Sequence, residues 1–316
     1  MHLVARLATP DDFASMRRLC RTNGEPEETC RREWEGVWRG DGTLGVVVED
    51  IARSEAPVVR ALMVTVAITD EFLEEISTAR EPYVLRRMAR AERPHVPQSE
   101  YGQYNAGEGL NSLIAYMGWE GEEYHVAPAP NLRAILVNAY ADRHGGNRLR
   151  WLLGEVGGPQ LLNLTTKSGC RILNDYAEWA TEHGMLDAPK RPYLMGVSRD
   201  DALGIENQWL TRMFTYFPPV FGFTDLQRQI LILAREGMTD AEIGEQIGVT
   251  ADAVKKRWGA IYEKVGEVFP RLRPSSPRGG RGAEKRRALL SHLRERPEEL
   301  RAYAARERLE AQGTRL

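Results

Sequence analysis

Cysteine is scarce. The 316 residues contain three, at Cys20, Cys30 and Cys170, and no two stand in a C-x-x-C pair. That argues against a disulfide framework and against a thiolate zinc site. The six histidines are scattered, and neither H-E-x-x-H nor a His/Cys ligand spacing occurs, so no metal is expected. No apolar run approaches the roughly 18 residues of a membrane span. The opening "MHLVARLATPDDF" lacks the apolar core of a secretory leader, and a cytoplasmic chain with no membrane partner is expected. Catalytic signatures are missing as well. No G-x-G-x-x-G follows a strand pattern, no phosphate-binding P-loop occurs, and no G-x-S-x-G elbow is present, while "GEVGG" at 154–158 has the wrong spacing and reads as a strand-end turn. On these absences the chain is expected to have no catalytic residues, no cofactor and no enzymatic activity.

Excess charge of one sign is also missing, since the formal net charge is only -2. That near-neutrality conceals a split. From Thr224 onward Lys and Arg outnumber Asp and Glu by 19 to 14, whereas before it they are outnumbered 24 to 31. Asymmetry of this kind marks a nucleic-acid-binding segment attached to a domain with another task.

What is present falls into four parts: an α/β domain over 1–210, a Pro/aromatic connector over 211–223, a helical unit over 224–268, and a basic linker with a C-terminal helix over 269–316. In the first part, Thr9 caps a helix with Pro10 at its first position and Phe13, Met16 and Leu19 along one face. "TLGVVVEDI" and "PVVRALMVTVAI" read as strands, and "ARSEA" between them is short enough for an antiparallel hairpin. "LNSLIAYMGW" and "RLRWLLGEV" read as further strands around a helix that stops at Gly145-Gly146. Trp34 and Trp38, four apart, read as core. Pro218-Pro219 excludes a helix through "FTYFPPVFGF", whose five aromatics are expected to pack on a domain.

The helical unit has the clearest grammar. Thr224 with Gln227, and Thr239 with Glu242, are capping boxes. Gly248 suits the left-handed position past a helix end. Thr250 then caps a third helix, with Asp252 against its positive N-terminal dipole. Helices are expected over roughly 225–236, 240–247 and 251–265. Their shared core would be Leu226, Ile230, Leu233, Ile243, Ile247, Val249, Val254 and Ile261. Two helices joined by so tight a turn form a helix-turn-helix, whose second helix can enter a DNA major groove.

The stretch "FTDLQRQILILAREGMTDAEIGEQIGVTADAVKKRWGAIYEKVG" resembles the LuxR-type (GerE-like) helix-turn-helix family. It departs from that pattern at Gly244, Ala253 and Arg257, and the sigma-factor region-four helix-turn-helix is similar at this level. The resemblance implies a sequence-specific transcription regulator on double-stranded DNA. A homodimer is expected because one short helix reads too few base pairs, and RNA polymerase is the partner expected if the unit binds a protein instead. Val254-Lys255 match the family's Val-Lys pair at the start of the recognition helix. Thr250, Asp252, Lys255, Lys256 and Arg257 are the candidate contacts on that helix. Seven cations between Arg271 and Arg287 face one acid, Glu284. Of these, Arg278, Arg281, Lys285, Arg286 and Arg287 are candidates for a flexible basic arm on phosphates.

The first part resembles the GNAT acetyltransferases through Arg6, Ala8, Thr9 and Asp12 at its opening and, in part, through Lys167-Ser168-Gly169-Cys170 near its end. That family cradles the coenzyme A pyrophosphate on a glycine-rich loop after its fourth strand. The corresponding "VAPAPNLRA" instead carries Pro128 and Pro130, each lacking a donor. The expectation is a diverged, non-acetylating domain that senses a ligand or dimerises. The alternatives are an acyl-coenzyme-A-dependent acyltransferase-like protein that uses its helix-turn-helix for targeting, and a protein-binding module.

Overall fold

The computed structural model describes residues 2–20, 25–52, 57–120, 130–187, 191–205, 208–270 and 282–304. Two compact units are present, one made of residues 1–104 and 108–215, the other of 105–107 and 216–316.

The first unit is built on a mixed sheet of seven strands: β1 (Leu3–Leu7), β2 (Thr43–Asp50), β3 (Val58–Ile68), β4 (Leu110–Trp119), β5 (Leu149–Gly157), β6 (Arg171–Asn174) and β7 (Pro192–Ser198). Their spatial order is β1-β2-β3-β4-β5-β7-β6. Neighbours are antiparallel except β4 and β5. The parallel step needs a crossover, supplied by α6 (Pro130–His144). β7, which the sequence reading did not identify, inserts between β5 and β6.

Alternation along β2 and β3 sorts side chains to two faces. Val47, Leu62, Val64, Val66 and Ile68 join one core with Leu113, Tyr116 and Leu153. Against that face pack α1 (Phe13–Leu19), α2 (Glu27–Trp38), α3 (Asp70–Thr78), α4 (Val84–Arg90) and α8 (Ala177–Glu182). Val46, Val48, Ala61 and Met63 face the other way, against α6 and α10 (Gln208–Phe214). α7 (Gly158–Lys167) leads from β5 towards β6, and α9 (Arg199–Leu203) follows β7.

Local chemistry fixes several of these elements. Asp12 accepts from the Thr9 amide at 2.8 Å and from both terminal nitrogens of Arg6 at 2.7 and 2.9 Å. The GNAT-like opening residues are therefore a joint between β1 and α1. Trp34 is buried, donates its indole N–H to the Pro10 carbonyl at 2.8 Å and lies 5.5 Å from Trp38. A Cβ at Gly118 would stand 2.6 Å from the Leu19 carbonyl oxygen, so the end of α1 rests directly on β4. β4 also holds one extra residue. Val64 pairs with Tyr116 and Thr65 with Ile114, leaving Ala115 as a bulge.

The second unit contains α11 (Asp225–Arg235), α12 (Asp240–Ile247), α13 (Ala251–Val268) and α14 (Gly282–Glu295). Thr224 and Thr239 form capping boxes with Gln227 and Glu242, and Thr250 accepts from the Ala253 amide. Each cap is worth about 1 kcal/mol. Gly248 turns left-handed at φ 73°. Gly244, where the family resemblance has alanine, has a local reason: a Cβ there would meet the Val249 carbonyl oxygen at 2.6 Å. Ile230, Ile243, Val254 and Ile261 are buried together, but Val249 is exposed. The core is instead completed by Phe221, Phe223, Trp258, Leu289 and Leu293. Two aromatics of the connector and one face of α14 thus belong to this unit.

Candidate functional site

The parallel pair β4 and β5 does not stay together. Rungs run from Leu110↔Leu149 to Ile114↔Gly154 and stop. Beyond that point β4 continues to Trp119 against β3, and β5 continues to Gly157 against β7. The two strands therefore part at their carboxyl ends, and crevices at strand carboxyl ends are where open α/β sheets bind ligands.

Titratable side chains gather on the α1/α2 face of this split. Glu155 is the first residue of β5 beyond the last rung. Its carboxylate accepts from the main-chain amides of Tyr83 at 2.9 Å and Val84 at 3.3 Å. Burial pushes its proton affinity above the ordinary glutamate value, and the neighbouring charge of Glu33 adds to the shift. The two amides and the Tyr176 hydroxyl counter it. Glu33, on α2, is also raised by burial, against the opposing pull of Arg86. The Arg86 guanidinium reaches Glu33 at 3.0 Å and Glu25 at 2.7 Å.

Tyr116 follows the β4 bulge. It is 6% exposed, and its hydroxyl has no hydrogen-bond partner among the described residues. Burial, reinforced by the charge of Glu33, keeps that hydroxyl protonated. A buried donor with nothing to bind costs free energy unless a ligand meets it.

Among the described residues, two other than glycine have left-handed backbone, Tyr83 at φ 72° and Tyr176 at φ 48°. Both serve Glu155. Such conformations cost about 1–3 kcal/mol each and persist where the surroundings over-determine them, which favours functional sites. Asn174 sets Tyr176 in place, accepting from its amide at 3.0 Å and donating to the Ala79 carbonyl at 2.7 Å.

The arrangement suits acid–base chemistry beside a donor. Carboxyls with raised affinity exchange protons closer to neutral pH, and the Tyr116 hydroxyl, kept protonated, has a hydrogen to donate. Thiol chemistry is not offered by Cys20 or Cys170. Burial pushes Cys20 up to about 12 and Cys170 up to about 11, so both remain thiols. Among the described residues no group of His, Cys, Asp and Glu has the makings of a metal site, and no helix is long and apolar enough to cross a membrane.

None of these residues was singled out from sequence as a site. The residues that were lie in the second unit. Thr250 caps α13, and Lys255, Lys256 and Arg257 are exposed on its first turns. Asp252 pairs with Lys255 at 3.3 Å with both side chains in solvent, an ion pair worth little. The expected flexible arm needs correction over its last part. Lys285, Arg286 and Arg287 belong to α14. Arg286 points inward, bonding Asp240 at 2.8 Å and the Met238 carbonyl at 3.2 Å and covering the Trp258 ring at 4.6 Å. Arg287 is exposed and Lys285 half-buried. Arg278 and Arg281 lie outside the described residues, as do residues 126–129 of the "VAPAPNLRA" segment, Pro128 among them, whereas Pro130 opens α6.

No protein-family model matches the chain. No curated protein sequence matches it either. Among solved structures it is similar to FeeM, an N-acyl amino acid synthase from uncultured soil microbes. The identity is 11% and the TM-score 0.35, over 63% of this chain and 94% of that one. The sheet of seven strands is mixed, as the expected α/β class requires. Against the expectation that the chain is not an enzyme stands the finding that FeeM is one.

Proposed function

We propose that the first unit is an acyltransferase of the acetyltransferase-like kind, with an acyl thioester in the split between β4 and β5 and an amine acceptor on the α1/α2 face. The observation that carries this reading is the parting of the two parallel strands beyond Ile114 and Gly154, with Tyr116 and Glu155 as the first titratable residues past it.

In this scheme Glu155 takes a proton from the acceptor's ammonium or its attacking nitrogen. The nitrogen lone pair adds to the thioester carbonyl carbon, and the Tyr116 hydroxyl donates to the oxygen on which negative charge builds. The C–S bond then breaks and the leaving thiolate takes up a proton, giving an amide and a free thiol. Glu33 raises the proton affinity of Glu155 by its charge and is itself held by Arg86.

The test is thiol release. Full-length protein is mixed with acyl-coenzyme A of several chain lengths and a panel of primary amines, and free thiol is followed with a chromogenic reagent. Amine-dependent release, reduced about 100-fold or more by Glu155→Gln, is expected if a general base is removed. Release that ignores the amine, or none with any acyl chain, would sink the reading.

A specific observation favours a second activity for the second unit. The exposed Lys255, Lys256 and Arg257 lie one turn after the Thr250 cap, near the helix end whose free amides carry the same sign. Docking on double-stranded DNA is proposed, which would make the helix pair a targeting device for the acyltransferase. Binding of random duplex should weaken with salt by about 0.9 in log–log slope for each phosphate neutralised. The double variant Lys255→Ala/Arg257→Ala should flatten that slope, and salt-independent binding would exclude DNA.

A further inference from the structure

Tyr83 is tied to both carboxyls of the site by different parts of itself, to Glu155 directly and to Glu33 through Arg86. Its main-chain amide donates to Glu155 at 2.9 Å. Its ring carries the Arg86 guanidinium, 4.4 Å above the centroid, and that guanidinium holds Glu33. The Trp179 ring stands perpendicular to it at 5.8 Å and fixes its orientation. Two groups that sit on different elements, β5 and α2, are thereby referred to one residue.

Packing alone does not explain a tyrosine here. The backbone is left-handed, a conformation that glycine adopts without cost and a side chain resists. The residue is 39% exposed, so it recovers less burial energy than a core aromatic would. A residue chosen for stability at this position would be glycine or asparagine.

We propose, on the acyltransfer reading above, that Tyr83 is a positioning residue that sets Glu33 and Glu155 relative to each other, its amide holding one and its Arg86-bearing ring the other. The ring acts through cation–π attraction, which needs an aromatic face and not a hydroxyl. Tyr83→Phe therefore keeps the function, and Tyr83→Gly or Tyr83→Asn, both tolerant of the backbone, removes it.

The effect has a sign. The Arg86 bond favours the charged form of Glu33. Once the ring is gone, Arg86 loses its seat, and Glu33 holds its proton to higher pH. More proton on Glu33 leaves less charge beside Glu155.

The experiment follows carboxyl titration in full-length protein labelled with 13C at the glutamate side chains. Glu33→Gln and Glu155→Gln assign the two signals, and thermal melting is measured on each variant. In Tyr83→Gly the Glu33 midpoint is expected to rise by about half a pH unit or more while the melting temperature is unchanged or higher. Tyr83→Phe should titrate as the parent does, and Tyr83→Asn should follow the glycine variant. Where thiol release is observed, kcat/KM should fall about tenfold in Tyr83→Gly, with the acidic limb of its pH profile displaced. A Glu33 midpoint unmoved in both the glycine and asparagine variants, or moved equally in Tyr83→Phe, overturns the proposal. Titration needs no turnover, so this result is separate from a failure of the parent protein to release thiol, which would overturn the acyltransfer reading instead.

Discussion

Tyr116 and Glu155 stand on neighbouring parallel strands, two residues and one residue beyond the last rung that joins them. On the acyltransfer reading, their shared face and the parting of their strands place the chemistry at that end of the sheet. Several measurable consequences follow from the residues that frame it.

The pH dependence of stability should carry the signature of Glu33 and Glu155. Both have proton affinities raised in the folded state above the ordinary value of 4.5. The folded chain therefore binds more protons than the unfolded chain through that range, and these groups lower stability as pH rises. Melting temperature plotted against pH should fall less steeply above pH 4.5 in Glu155→Gln than in the parent. Parallel curves would show that the carboxyl is not perturbed.

Asp12 acts in the opposite direction. Burial works against its charge, but Arg6 and the Thr9 amide outweigh it and hold the group below its ordinary 3.8. Its stabilising contribution is present above that value and is lost as pH falls through the folded-state midpoint. Arg6→Ala leaves the buried carboxylate without its charge partner and should cost about 3 kcal/mol in denaturant titrations at neutral pH. A cost under 1 kcal/mol would mean that water replaces the guanidinium.

Gly118→Ala tests the close seat of α1 on β4. The new methyl would press on the Leu19 carbonyl and carbonyl carbon, at 2.6 and 2.7 Å, and on the Cys20 nitrogen at 2.9 Å. Main-chain atoms cannot swing aside, so a loss of about 2–3 kcal/mol is expected. Because the contact lies two residues from Tyr116, thiol release should suffer more than binding of DNA by the second unit. Equal loss of both would point to general unfolding.

Gly248→Ala probes the turn before α13. Nothing stands within 4 Å of the added Cβ, so space is no obstacle, but φ is +73°. The expected cost is the left-handed strain alone, about 1 kcal/mol by equilibrium unfolding. A much larger loss would reveal a crowding that the geometry does not contain.

Local structure was the most legible part of the sequence. Thr224, Thr239 and Thr250 could be read as caps because capping is a matter of three or four adjacent residues, and each accepts the amide expected of it. The β2–β3 hairpin and the strands at 110–119 and 149–157 followed from apolar runs and short connections. β7 did not, because "PYLMGVS" is seven residues long and its place between β5 and β6 is decided by pairing with distant strands. α14 gathers Leu289 and Leu293 on one side, yet its first turn is rich in cations and reads as a solvated arm. The site was the least legible. Glu33, Tyr83, Tyr116, Glu155 and Tyr176 are spread over more than half of the first unit, and only folding brings them together. One signal was available, since Glu155 is the only charge in the apolar end of β5, "WLLGEVG", and a carboxylate in a central strand needs a reason.

Ala115 gives the sheet a change of reading frame. Side chains on a strand alternate with a period of two, so a single extra residue exchanges inside for outside from that point on. Ile114 faces the α6 side and Tyr116 the α1/α2 side, although they are two apart and a regular strand would point them the same way. Take the insertion out, and the phenol would move to the opposite surface, leaving Glu155 and Glu33 without it. The handedness of the site, meaning which of two available layers receives the chemistry, is thus written by a methyl-bearing residue that takes no part in it.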